Sequence, residues 1–227
     1  PTPEVERGRG GRPRAIVILV LMALVLSALS LALVAIGGAL VGLPEGAATE
    51  EETSLLAFAL LAIVWAPIVE ETAFRLPLTA FRPRYLMISG AILLGVFGIA
   101  FDLVLGDALI LGLVESAIGL VLIVLGAASA LSPRIRGRAS ALWRRHFALI
   151  AWSSAVFFGL AHLSNFDLPD NGVLTVIGAP LLVSSQILGG LVLAFARVWL
   201  GLWAAILIHA GFNGVITVLV LVAGLGA

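Results

Sequence analysis

The chain of 227 residues is 61% hydrophobic and only 11% charged, with a mean hydropathy of +1.18, which excludes an ordinary soluble domain and indicates a polytopic membrane protein. Its 13 basic residues, all arginine, balance 13 acidic ones, so no bulk charge argues for a nucleic-acid partner. Cysteine is absent, which excludes disulfides, thiolate metal sites and a cysteine nucleophile.

Residues 1–14, rich in Gly, Pro and Arg, read as a disordered basic segment ahead of a single transmembrane domain over 15–227. The apolar run from Ala15 to Leu43 exceeds a signal-peptide core of ~7 to 15 residues, so it reads as a retained anchor. Windows of about 20 apolar residues predict seven spans, roughly 15–43, 54–80, 86–105, 108–131, 147–165, 173–196 and 202–225. Their connecting segments sort by charge. Glu45, Glu50, Glu51, Glu52, Asp107, Asp167 and Asp170 fall on one side; Arg82, Arg84, Arg134, Arg136, Arg138, Arg144, Arg145, Arg197 and the N-terminal arginines fall on the other. By the positive-inside rule the N-terminus is cytoplasmic. The fold class is therefore all-α, a polytopic transmembrane helix bundle of about seven spans, with a kink or tilt in the first expected at Gly37-Gly38. The exclusive use of arginine points to a GC-rich bacterial genome, hence a multi-pass protein of a bacterial inner membrane. The sequence carries no signal for an oligomeric state.

The second span contains Pro67-Ile68-Val69-Glu70-Glu71-Thr72-Ala73-Phe74-Arg75. A charged side chain near the bilayer centre costs roughly 2.5 to 3.5 kcal/mol, so three within six positions require compensation. Glu71 and Arg75 supply part of it, standing at i and i+4 with the acid first. Glu70 is rotated about 100° away and has Phe74 at its own i+4 position, which leaves it without a local partner.

Further polar groups sit inside apolar spans. Phe158-Gly-Leu-Ala-His162 ends the fifth span and His209-Ala-Gly-Phe-Asn213 opens the seventh, each pairing its end residues on one helix face. Asp102 and Glu115 are the remaining intramembrane acids, and His146 follows Arg144-Arg145 as an interfacial residue. A free carboxylate, two imidazoles and an amide are the groups needed to activate and hold a water molecule.

Glu70-Glu71-x-x-x-Arg75, Phe158-x-x-x-His162 and His209-x-x-x-Asn213, in that order, resemble the three motifs of the CPBP intramembrane protease family, which includes CAAX prenyl endopeptidases and bacteriocin-processing enzymes. The segment Gly189-Gly190, Gly201-Leu202-Trp203 and Ile208 to Asn213 resembles the family's approach to its third motif. The resemblance implies a catalytic core at about 54–81 and 147–225. It implies Glu70 as general base, His162 as a holder of the water, His209 and Asn213 as donors to the oxyanion, and Glu71, Arg75 and Phe158 as structural support. The substrate implied is a prenylated peptide, a leader peptide or a membrane-protein segment, met within the lipid bilayer. No cofactor is required on this reading; in a metal-dependent variant Glu70, His162 and His209 would be the zinc ligands, although they lack the compact H-E-x-x-H spacing. Two other classes compete: a noncatalytic scaffold or immunity-type member that keeps the fold, and a proton-coupled transporter using Glu70, Glu115, Asp102 and the histidines as a relay. Helical rise places Glu70 and His209 in the cytoplasmic half and His162 further out. Convergence therefore requires that the fifth span begin deeper than Phe147 or that Leu163 to Gly172 dip back into a cavity.

Overall fold

The computed structural model describes residues 12–42, 55–100, 109–166 and 172–224, and among them all regular structure is helical. In chain order the helices are α1 (Arg12–Val41), α2 (Leu55–Leu60), a π-helical turn (Leu61–Trp65), α3 (Ala66–Phe74), and α4 (Pro83–Ile92) with a π-helical continuation (Leu93–Ala100). There follow α5 (Leu109–Leu131), α6 (Pro133–Arg145), α7 (Phe147–Ala161) with a 3-10 turn (His162–Asn165), α8 (Val173–Leu182), α9 (Ser184–Trp199) and α10 (Leu202–Gly224). Among the described residues five stretches are long and apolar enough to cross a membrane: Pro13–Val41, Ala57–Phe74, Gly112–Leu131, Phe147–Asn165 and Leu202–Leu219. The pair α8 and α9 makes a sixth if taken as one span bent by 46°, and the shorter apolar helix Pro83–Gly98 occupies the place of the expected third span. The expectations for residues 1–11 and for Asp102, Asp107, Asp167 and Asp170 lie outside the described residues.

Helix α9 lies at the centre, against α1, α7 and α10, while α3 and the π-turn before it pack on α10 and the α4–α5 hairpin flanks α3. Leu19 and Ala23 of α1 meet Val192, Leu193 and Ala196 of α9 and Ala205 and Ile208 of α10 in one buried cluster. Outward, Leu29, Leu31, Val124 and Trp203 are exposed, as lipid-facing side chains are. With apolar chains as solvent, association rests on close contact rather than on burial from water, and small residues make that possible. Gly37 and Gly178 show it: a Cβ on Gly178 would stand 2.9 Å from the Gly37 carbonyl oxygen. Gly37 is thus a contact point, and α1 runs through Gly37-Gly38 as continuous helix.

Three boundaries differ from the sequence expectation. The sixth span is two helices parted at Val183, three residues after Pro180, which has no amide hydrogen for the helical ladder. The arginine-rich loop before the fifth span is the helix α6: Ser132 accepts from the Ile135 amide at 3.4 Å, Pro133 opens the first turn, and buried Trp143 donates from its indole to the Thr79 carbonyl at 3.1 Å. His146 lies exposed in the turn that follows.

The third difference positions the site. The second span ends as helix at Phe74, not near residue 80, and Arg75, Leu76, Pro77 and Leu78 continue as buried irregular backbone. Such backbone persists at membrane depth only where protein satisfies its polar groups, and here side chains from four helices do so. Ser89 donates to the Ala73 carbonyl, Ser154 to that of Phe74 at 2.7 Å, and Arg197 to those of Arg75 and Leu76, each at 2.9 Å. Trp143 serves Thr79.

Candidate active site

The two glutamates that follow one another in α3 face different surroundings. Glu71 is fully buried; its Oε1 accepts from His209 Nδ1 at 3.1 Å and lies 3.7 Å from Arg75 Nη1, the ion pair expected from the i, i+4 spacing. Arg75, also fully buried, donates from Nη2 to the Gly190 carbonyl at 3.4 Å, and its guanidinium carbon lies 3.9 Å from the Phe158 ring centroid. A cation on an aromatic face in a dry interior offsets part of its own desolvation. Glycine is required at position 190, because a Cβ there would stand 2.9 Å from Arg75 Nη2 and 3.1 Å from the Phe158 ring. Breaking a buried pair of this kind leaves the surviving charge uncompensated, which makes the arrangement structural.

Glu70 differs. Its Oε2 makes no hydrogen bond to the protein and lies 3.7 Å from His209 Nε2, too far for a good direct bond. The His209 ring therefore stands between the two carboxylates, held by Glu71 through Nδ1 with Nε2 turned toward Glu70. The His162 ring packs 4.7 Å from that of Phe158, which in turn lies 5.8 Å from the His209 ring. His162 Nδ1 donates to the Phe158 carbonyl at 2.8 Å, which fixes the tautomer and leaves Nε2 as the acceptor when the ring is neutral. Asn213 donates from Nδ2 to the Ala62 carbonyl at 2.8 Å. Ala62 belongs to the π-turn, whose changed hydrogen-bond register suits a side-chain donor. One amide hydrogen of Asn213 is thus committed to holding the π-turn, and the second remains.

His162, His209, Asn213 and Phe158 line a cavity of about 720 Å³, whose far wall is α1. Glu70 is not among its lining residues and stands behind His209 with its side chain 16% exposed.

The three motifs thus come together, and the depth problem has a geometric answer. Helix α7 does begin at Phe147, but Ser154 reaches Phe74, so its first seven residues, about 10 Å of rise, extend past the end of α3. One turn further along each antiparallel helix, Phe158 meets the Glu70–Arg75 region. Glu115 is elsewhere, on α5 in the wall of a second cavity of about 620 Å³.

Several residues at the site were missed in the sequence. Arg197 reads there as a cytoplasmic flanking charge, yet it holds the carbonyls that follow the glutamates. The signal available was spacing: Gly190 and Arg197 are i and i+7 on α9, and Ser154, Phe158 and His162 recur every four residues on α7, each set sharing one face.

Of the possible zinc ligands, His162 and His209 each have Nδ1 engaged, by Phe158 and Glu71, which leaves Nε2 of each as the nitrogen that could face a metal. Among the described residues no three His, Asp or Glu side chains are grouped so as to hold a metal ion.

The fold and the site define a multi-pass α-helical membrane protein with a buried carboxylate–histidine centre. The family model described as type II CAAX prenyl endopeptidase Rce1-like matches residues 52–215, well over half of the chain, and the protein belongs to that family. Membership implies a protease whose substrate is a peptide or protein in a membrane. No curated protein and no solved structure gives a match.

Proposed function

We propose that the protein is an intramembrane endopeptidase that hydrolyses a peptide bond by direct attack of water, with Glu70 as general base and no metal in the reaction. The observation that carries this reading is the contrast within one dipeptide: Glu71 Oε1 accepts from His209 and faces Arg75, while Glu70 makes no hydrogen bond to the described residues and holds its buried Oε2 3.7 Å from His209 Nε2.

A water bound between Glu70 and His162 gives a proton to the Glu70 carboxylate, while His162 Nε2 accepts its other hydrogen. The resulting hydroxide adds to the scissile carbonyl. The oxyanion takes hydrogen bonds from His209 Nε2–H and from the second amide hydrogen of Asn213, donors aimed at charge that develops only in the transition state. With Nδ1–H given to Glu71, a hydrogen at Nε2 makes His209 an imidazolium, whose charge the two carboxylates balance. The proton on Glu70 then passes to the leaving nitrogen as the C–N bond breaks, giving a carboxylic acid and an amine, and the acid's proton moves to the amine so that a carboxylate and an ammonium depart.

The family's description favours a prenylated C-terminal peptide as substrate, and the arginine-only basic residues favour a bacterial inner membrane as its setting. The test is cleavage of a farnesylated peptide ending in cysteine and three further residues, by purified protein in liposomes, with products identified by mass. Release of the terminal tripeptide by wild type and not by Glu70→Gln is expected. Undiminished release by Glu70→Gln would remove the base assignment.

A further inference from the structure

The mechanism above leaves unused a set of polar groups in the same cavity. Ser185 and Gln186, in the first turn of α9, line it together with His162, His209 and Asn213, and Ser27 lines it from α1. Ser185 Oγ donates to Gln186 Oε1 at 2.7 Å. That bond orients the amide so that its acceptor faces Ser185 and its Nε2 faces away, with no acceptor among the described residues. Across the cavity, Ser27 Oγ is buried without a hydrogen-bond partner. Apart from the two histidines, every other lining residue is uncharged.

From these placements we infer that Gln186 and Ser27 form a two-sided clamp for the substrate's peptide backbone: Gln186 Nε2 donates to one carbonyl, and Ser27 Oγ accepts from an N–H. An extended peptide carries one donor and one acceptor per residue, and both must be met once it leaves water. The cavity offers a locked donor on one wall and a free hydroxyl on the other, with apolar side chains between. That pattern suits a neutral amide. It does not suit a phosphate or carboxylate, for which the lining offers no Arg or Lys, or a bare hydrocarbon chain, for which the two polar groups are a penalty. Ser185 is a positioning residue that keeps the amide turned inward. Ser27 belongs to α1, outside the residues matched by the family model. The inference rests on the endopeptidase reading, since it names the part of the substrate that the cavity holds.

Binding tests it without turnover. The probe is a fluorescent peptide with a farnesylated cysteine three residues from its C-terminus, titrated onto the inactive Glu70→Gln protein in detergent and read by anisotropy. Adding Gln186→Leu, which keeps the volume and removes the donor, is expected to raise Kd about five- to tenfold, the worth of one hydrogen bond. Ser27→Ala is expected to raise it about two- to fivefold, with thermal midpoints unchanged for both. Affinity for S-farnesylcysteine methyl ester, which has the chain but no peptide, should stay the same. Gly189→Phe places a ring where a Cβ meets nothing within 4 Å, so it should fold normally and abolish binding of the peptide. An unchanged Kd in Gln186→Leu, an equal loss for the two probes, retained binding in Gly189→Phe, or no binding to the Glu70→Gln protein overturns the clamp. The protease reading fails by a different result, a bound peptide that wild type leaves intact.

Discussion

Two cavities of similar size, about 720 Å³ and about 620 Å³, share α7 as part of their walls. The first gathers two histidines, an asparagine, a glutamine and two serines from four helices. The second has one ionisable group, Glu115, on a wall otherwise made of apolar residues and three serines, of which Ser89 and Ser154 already donate to the Ala73 and Phe74 carbonyls. Comparable volume is therefore common to both. What separates them is whether polar groups from different helices retain unused hydrogen-bonding capacity facing one another. On that measure the first suits the proposed chemistry, and in the second the Ser89 and Ser154 hydroxyls secure the end of α3.

The difference can be broken or sharpened by substitution. The largest effect is expected at Glu70. Glu70→Gln should lower kcat by about 10²- to 10⁴-fold, the range for a general base, with its thermal midpoint kept, whereas Glu115→Gln should not. Next comes the structural half of the site: Arg75→Met leaves Glu71 buried without its cation and should destabilise the protein by about 3 to 5 kcal/mol, read by thermal unfolding in detergent. A smaller loss is expected from Arg197→Lys. It keeps the flanking charge but gives up the two-point grip on the Arg75 and Leu76 carbonyls, so kcat should fall by about five- to tenfold with KM little changed, the scale of one lost hydrogen bond. If Arg197 served only membrane orientation, that variant would retain full turnover. Smallest is Glu115→Gln, expected to change kcat by less than about twofold, since single substitutions away from a site usually act weakly. A loss there comparable to that of Glu70→Gln would make the second cavity part of the reaction and erase the contrast.

How much of this was legible in the chain follows from the range of each interaction. The Glu71–Arg75 pair is local, four residues apart on one helix, and spacing alone revealed it. The ordering of apolar spans was equally plain, because a lipid solvent imposes a length on each helix. The end of α3 at Phe74 was not, since the residues that follow it are still apolar and their backbone is satisfied by Ser89, Ser154, Arg197 and Trp143, far away in sequence. For the same reason Asn213 could be marked as a site residue, but its bond to the Ala62 carbonyl depends on a π-turn that no apolar pattern announces. Gln186 carries no such signal, standing inside the apolar stretch 173–196. Its orientation comes from Ser185, and its company from α1 and α10.

The most direct test of the central claim, that water itself attacks while Glu70 only carries a proton, is a single-turnover cleavage in water enriched in oxygen-18. With enzyme in excess over the farnesylated peptide, the account predicts one heavy oxygen in the newly formed carboxylate during the first turnover. An unlabelled carboxylate there, its oxygen drawn from the protein, would show that the glutamate is the nucleophile and contradict the mechanism.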